Sequence, residues 1–178
     1  MGHLAHPKPQ IMNEDVILRP EETSDSAFLF TLYASTRAEE LKRVPWTETQ
    51  KTDFLKMQFD LQSAHYHQHY PDAAYQIIVS GDQPIGRFYI HREQDQILVI
   101  DIALLPAHRR AGLGGSLLTE LLVEAAAEQK PVRIHVEWEN PALRLYTRLG
   151  FRVLETQGVY HFMEWNPRIE SDVSRPAS

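Results

Sequence analysis

Between an apolar run that ends at Leu105 and a leucine-rich stretch from Gly114 lies His108-Arg-Arg-Ala-Gly-Leu-Gly-Gly115. Gly112, Gly114 and Gly115 let a ligand come close to the main chain. The first amides of a helix starting here have no intrahelical acceptors, and the positive end of the helix dipole lies among them. Such a turn can hold a phosphate or diphosphate. Arg109 and Arg110 add forked cationic donors beside it. The plainer alternative is a flexible glycine turn with two solvated arginines; placement after a buried strand and before an apolar helix favours anion binding. Two nucleotide-binding patterns fail. A Walker loop needs Lys after Gly114, where Gly115-Ser116-Leu117 stands, and a dinucleotide fingerprint needs Gly where Leu117 lies.

A second group of reactive side chains lies on Val132-Arg-Ile-His-Val-Glu137, where period-two alternation places Arg133, His135 and Glu137 on one face. The run Asn140-Pro-Ala-Leu-Arg-Leu-Tyr-Thr-Arg-Leu-Gly150 follows, with an N-cap residue, Pro at the first helical position and a terminal Gly suited to a left-handed cap. A third group, His65-Tyr-His-Gln-His-Tyr70, sets His65 and His69 four apart on a helix. It lacks a carboxylate of the His-Glu-x-x-His kind, so a solvated face or an aromatic groove lining is expected there and no metal site.

The elements that must position these groups follow from the periods. Val16–Arg19 reads as a strand stopped by Pro20, and Thr23-Ser24-Asp25 offers caps for a helix bearing Phe28, Leu29, Leu32 and Tyr33. A longer helix runs from Thr47, with Gln50 as capping-box partner, to about His69, its apolar stripe being Phe54, Met57, Leu61 and Ala64. Ala74–Ser80, Ile85–His91 and Gln96–Leu105 read as strands, the last so apolar that both faces are expected to be covered. Gly114–Glu128 is a helix turning Leu117, Leu118, Leu121, Leu122 and Ala125 inward. After 132–137 and the Asn140 helix come strands Phe151–Glu155 and Val159–Trp165. The expected architecture is α/β: a mixed, mostly antiparallel sheet of about seven strands with about four helices. One domain spans 14–166, with a loose arm at 1–13 and a tail at 167–178.

The two motifs in this order, with the Leu18-Arg-Pro20 opening, resemble the GNAT N-acetyltransferase family over residues 16–165, most closely its small bacterial members. The resemblance implies the GNAT fold and acetyl-coenzyme A as co-substrate. It implies that Arg109, Arg110, Gly112, Gly114 and Gly115 hold the diphosphate and that the Ile102–Leu104 backbone pairs with the pantetheine arm. It implies that the Leu104 N–H polarises the acetyl carbonyl, that Asn140 touches the cofactor, and that Tyr146 protonates the departing thiolate. Asn140 stands six residues before Tyr146, where many members have seven. A core aromatic against Phe151 is the other reading of Tyr146. His135 lies near a position where some relatives carry a catalytic Glu, and its unperturbed pKa suits a base at neutral pH. Glu137, Asp101 or an ordered water compete for that role, and Asp101 could instead be a buried carboxylate tied to backbone or to Arg133. Trp46, Phe54, Phe59 and Tyr66 fall where the family builds its acceptor site.

Composition narrows the classes. Eighteen Lys+Arg against 24 Asp+Glu give a formal charge of −6, which argues against nucleic acid and anionic membranes as partners. The chain holds no Cys, so a cysteinyl acyl-enzyme is excluded. No stretch approaches a membrane span, and a cytoplasmic protein is expected. The function expected is acetyl transfer to a primary amine, from a small molecule or a protein, by direct attack in a ternary complex. The alternatives are another acyl-coenzyme A donor, or a regulatory protein that binds the cofactor without turnover. The last strand could pair with a second copy, leaving a homodimer open.

Overall fold

Short periodic segments joined by tight turns build the chain, and the computed structural model describes residues 10–13 and 16–168 of it. In order these are β1 (Gln10–Asn13), β2 (Val16–Pro20), α1 (Ser26–Lys42), α2 (Glu48–His69), β3 (Ala74–Ser80), β4 (Gln83–Arg92), β5 (Ile97–Leu104), α3 (Leu113–Ala127), β6 (Val132–Glu137), α4 (Leu143–Arg148), β7 (Arg152–Gln157) and β8 (Tyr160–Trp165). The sheet order is β1-β2-β3-β4-β5-β6-β8-β7. β5 and β6 are parallel, joined through α3 as such a pair requires. β1–β2, β2–β3, β6–β8 and β7–β8 are antiparallel. Among the described residues this is the expected mixed, mostly antiparallel α/β architecture with four α-helices. β1 adds an eighth strand and occupies the last four positions of the segment read as an arm; 1–9 and 169–178 lie outside the described residues. No described helix is long and apolar enough to cross a membrane.

The chain forms two compact units. The first contains the described residues up to Tyr89 together with Asp101–Arg109; the second contains Ile90–Ile100 and those from Arg110 onward. In the first, α1 buries Leu29, Leu32 and Tyr33 at helical spacing. Ahead of it, Asp25 accepts both forks of Arg19, at 2.6 and 2.7 Å, and the Glu22 amide at 2.8 Å, tying the end of β2 to the start of α1. α2 begins with the expected capping box: the Gln50 amide donates to Thr47 Oγ1 and the Thr47 amide to Gln50 Oε1.

Of the apolar stripe expected on α2, Phe54 is half-buried and the other three residues face outward. Met57 and Leu61 are 50% and 60% exposed, and Ala64 is also exposed. The face that turns in carries Leu55, Gln58, Phe59, Gln62 and Tyr66. Two of its polar side chains reach charged groups in the sheet, so polar contacts as well as apolar ones select this face.

In the second unit α3 buries the five residues expected, Leu117, Leu118, Leu121, Leu122 and Ala125. Burial along β6 alternates, with Val132, Ile134 and Val136 inside. α4 closes at Gly150, whose φ of 94° is the left-handed cap that favours glycine. Full coverage of β5 is also corrected. Ile97, Leu98 and Val99 are buried, whereas Ile100 to Leu104 are only half-buried. This half-buried stretch coincides with the part of β5 beyond its pairing with β6, which runs over Ile97, Leu98 and Val99.

Candidate functional site: the end of β5 and the start of α3

After β5 the chain makes a short 3-10 turn at Pro106–His108 and then takes two left-handed residues, Arg110 at φ 62° and Gly112 at φ 84°. Residues of opposite hand in sequence turn successive amides toward a common side, the geometry of an anion-binding nest. The Ser116 amide reaches the Gly112 carbonyl at 3.0 Å, so the amides of Leu113, Gly114 and Gly115 precede the first intrahelical bond of α3. A Cβ on Gly114 would meet nothing within 4 Å. Packing therefore does not require glycine at 114, and its absent side chain leaves the backbone open to a close-lying anion. The same open space lies at Gly112, while a Cβ on Gly115 would make ordinary contact with Leu145. A diphosphate fits these residues.

Arg109 lies against the end of β5. Its Nε donates to the Leu104 carbonyl at 2.8 Å and its Nη2 to Ser35 Oγ at 3.0 Å, and desolvation lowers its pKa. The guanidinium is folded back on the end of β5. Ile102 and Leu104 lie on the stretch of β5 beyond its pairing with β6.

In the second unit His135 is exposed on one side and stacked on Phe162 on the other, with centroids 4.6 Å apart. That desolvation lowers its pKa, favouring the neutral imidazole. Glu137 follows on the same face and is approached by the Tyr160 hydroxyl at 3.5 Å. Arg133 is held by Glu164 at 2.8 Å and Gln96 at 2.7 Å. Tyr146, on α4, is 3% exposed and meets Phe151 edge-on. Asn140 caps from outside the helix: its Oδ1 accepts the Ala142 amide at 2.8 Å, and α4 starts two residues later than the Asn-Pro signal implied.

The cluster that sequence reasoning missed is in the first unit. Arg87, 4% exposed on β4, donates through Nη2 to Asp101 Oδ2 at 2.5 Å and to Gln62 Oε1 at 2.8 Å. The Tyr66 hydroxyl donates to the same Asp101 oxygen at 3.2 Å. Asp101 is thus tied to Arg87, not to Arg133. Burial disfavours the Arg87 charge, but Asp101 and the neighbouring tyrosines more than offset it and its pKa is raised. Tyr89 lies under this cation, 5.2 Å from its ring centroid, and donates to Glu21. The signal available was a lone Gly86-Arg87 pair inside an apolar strand. Of the aromatics, Phe59 packs on Phe30 and Tyr33, and Trp46 meets Phe54 edge-on. The His65 and His69 rings lie with centroids 4.0 Å apart, tilted by 31°, and among the described residues no group of three metal-ligating side chains forms.

The family model of the acetyltransferase (GNAT) family matches residues 35–151. The chain belongs to that family. Among solved structures it is similar to the PaiA N-acetyltransferase of Thermoplasma acidophilum, crystallised with coenzyme A, at 16% identity and TM-score 0.64, over 85% of this chain and 98% of that one. An acetyltransferase from Thermus thermophilus gives 18% identity and TM-score 0.61, over 85% and 97%. A microcin self-immunity acetyltransferase in complex with acetyl-CoA and AMP gives 13% identity and TM-score 0.59, over 87% and 94%. Comparison with curated protein sequences gives no match.

Proposed function

We propose that the protein moves an acetyl group from acetyl-coenzyme A to a primary amine by direct attack in a ternary complex. The observation that carries this reading is the turn before α3, where left-handed Arg110 and Gly112 lead into the Leu113, Gly114 and Gly115 amides, which precede the first intrahelical bond, with room for a side chain left empty at Gly112 and Gly114. Gly112, Gly114, Gly115 and Arg110 hold the diphosphate, and the Ile102–Leu104 backbone takes the pantetheine arm. Asn140, with its carboxamide oxygen already used in the cap, offers its NH2 group to the cofactor.

With no Cys in the chain, acyl transfer to a thiol of the enzyme has no acceptor. His135 takes the proton that converts the ammonium to a free amine. The amine lone pair forms the new C–N bond at the thioester carbon, and the carbonyl electron pair moves to oxygen, where the Leu104 N–H stabilises it. As the pair returns, the C–S bond breaks and Tyr146 gives a proton to the leaving sulfur; the cationic nitrogen passes its extra proton to the resulting phenolate, which restores the tyrosine, and His135 returns the first proton to water. Positioning and the polarised carbonyl supply most of the rate. A negative net charge steers cationic acceptors inward. The cytoplasm, where acyl-coenzyme A is at hand, is the proposed location.

Thermal unfolding with and without acetyl-coenzyme A tests the donor, since a ligand at about 100 times its Kd adds about 2.7 kcal/mol. Free-thiol release with a panel of primary amines tests the transfer. Stabilisation followed by thiol release is expected. No stabilisation sinks the donor assignment, and stabilisation without release under any amine would favour a binding protein without turnover.

A further inference from the structure

Gly86 sits inside β4, where no turn calls for glycine. A Cβ at this position would overlap the Ala103 carbonyl oxygen and lie 2.8 Å from Leu104 Cδ2 and 3.0 Å from Ile78 Cδ1. Only a residue without a side chain lets β4 close on this part of β5. The Ala103 carbonyl therefore faces β4. Peptide bonds here are trans, so the N–H of the same peptide unit, that of Leu104, is directed away from β4. The next peptide reverses this. The Leu104 carbonyl accepts from Arg109 Nε at 2.8 Å, and the Leu105 amide turns back to the Ile85 carbonyl at 2.8 Å. Both polar groups of Leu104 thus lie on the edge of β5 opposite β4, in the stretch beyond its last pairing with β6 at Val99.

We propose that Gly86 and Arg109 are positioning residues that fix the Leu104 N–H as the hydrogen-bond donor to the acyl carbonyl oxygen. Gly86 admits the Ala103 carbonyl against β4, which sets the plane of the 103–104 peptide. Arg109 holds the following carbonyl, which stops that plane from rotating. Arg109 then works on the acyl end of the donor and not on its diphosphate. A preorganised backbone donor of this kind needs no reorganisation as charge develops on oxygen. This inference rests on the acyl-transfer reading above.

Full-length protein labelled with 15N is titrated with coenzyme A and, separately, with acetyl-coenzyme A while the Leu104 amide resonance is followed. A downfield displacement with the acetyl form that coenzyme A does not produce is expected; equal displacement by the two overturns the proposal. Failure of either ligand to bind would instead sink the acyl-transfer reading. In a second arm, acetyl-coenzyme A labelled with 13C at the carbonyl is bound to wild type, Gly86→Ala and Arg109→Gln. The carbonyl resonance should move downfield on wild type and return toward its free position on both variants, with Kd for coenzyme A changed by less than about twofold because the α3 turn is intact. A folded Gly86→Ala protein with the wild-type carbonyl resonance overturns the role of Gly86. An Arg109→Gln protein that loses only coenzyme A affinity returns Arg109 to the diphosphate. Should Gly86→Ala fail to fold, the wild-type titration and Arg109→Gln still decide.

Discussion

Arg87 and Asp101 form an ion pair of 2.5 Å between β4 and β5, with side-chain exposures of 5% and 17%. Burying such a pair gives little net stability, but breaking it leaves an uncompensated charge inside. Arg87→Met is therefore expected to lower the unfolding free energy by about 3–5 kcal/mol, and the double variant Arg87→Met with Asp101→Leu to recover most of it. Urea unfolding of the three proteins checks this; a single variant as stable as wild type would show the pair to be dispensable.

Gly114 lies in the first turn of α3 with open space where its side chain would be. Gly114→Glu puts a good helix former and a favourable charge at a helix N-terminus, so the ligand-free Tm should not fall. The same carboxylate would occupy and repel the diphosphate position. Stabilisation by coenzyme A should vanish in a thermal-shift titration, and retained binding would remove the turn from the site.

Tyr146→Phe deletes one buried hydroxyl and keeps the ring contact with Phe151. A general acid contributes about 10²–10⁴-fold. Steady-state kinetics should show kcat falling on that scale with KM for the donor nearly unchanged. Unchanged kcat would leave Tyr146 as a core residue.

His135 has a pKa below its ordinary value because Phe162 and its strand neighbours partly desolvate it. The base must be neutral, and the neutral fraction rises with pH through the folded pKa, which lies below about 6.5. kcat/KM should climb with pH on the acid side of that value and be level by neutrality. His135→Gln should lower the plateau and erase this limb; a limb that persists would belong to another group.

Asp25 has its pKa lowered by the Arg19 hydrogen bonds and by the Glu22 amide, against the effect of burial. A depressed carboxylate pKa contributes stability that is present above the unfolded value near about 3.9 and is lost as pH falls through the folded value. Asp25→Asn should cost about 1.5–3 kcal/mol at neutral pH. The difference in unfolding free energy from wild type should shrink as pH drops below about 4. A difference independent of pH would mean that shape, not charge, is what Asp25 supplies.

How much of this was legible beforehand depended on distance along the chain. The α2 capping box spans three residues, the buried face of α3 repeats within one helix, and the β6 alternation has a period of two. Each is fixed by local geometry and each matches the sequence reading. The turn before α3 is local as well, and Gly112 takes the left-handed conformation that glycine favours.

Only the tertiary structure decided which face of α2 turns inward, because a hydrophobic stripe predicts burial only where the opposing surface is apolar. Here that surface offers Arg87 and Asp101, which select Gln62 and Tyr66 from 25 and 35 residues away. The end of β5 is the same kind of case: its composition reads as doubly buried, yet Ile100 to Leu104 are only half-buried and lie beyond the pairing with β6. Arg109 stands beside the glycine turn in sequence yet bonds Ser35 across 74 residues. Periodicity and turn chemistry act through neighbours along the chain, whereas partners of buried charge and the direction of a single peptide are set by what the fold brings against them.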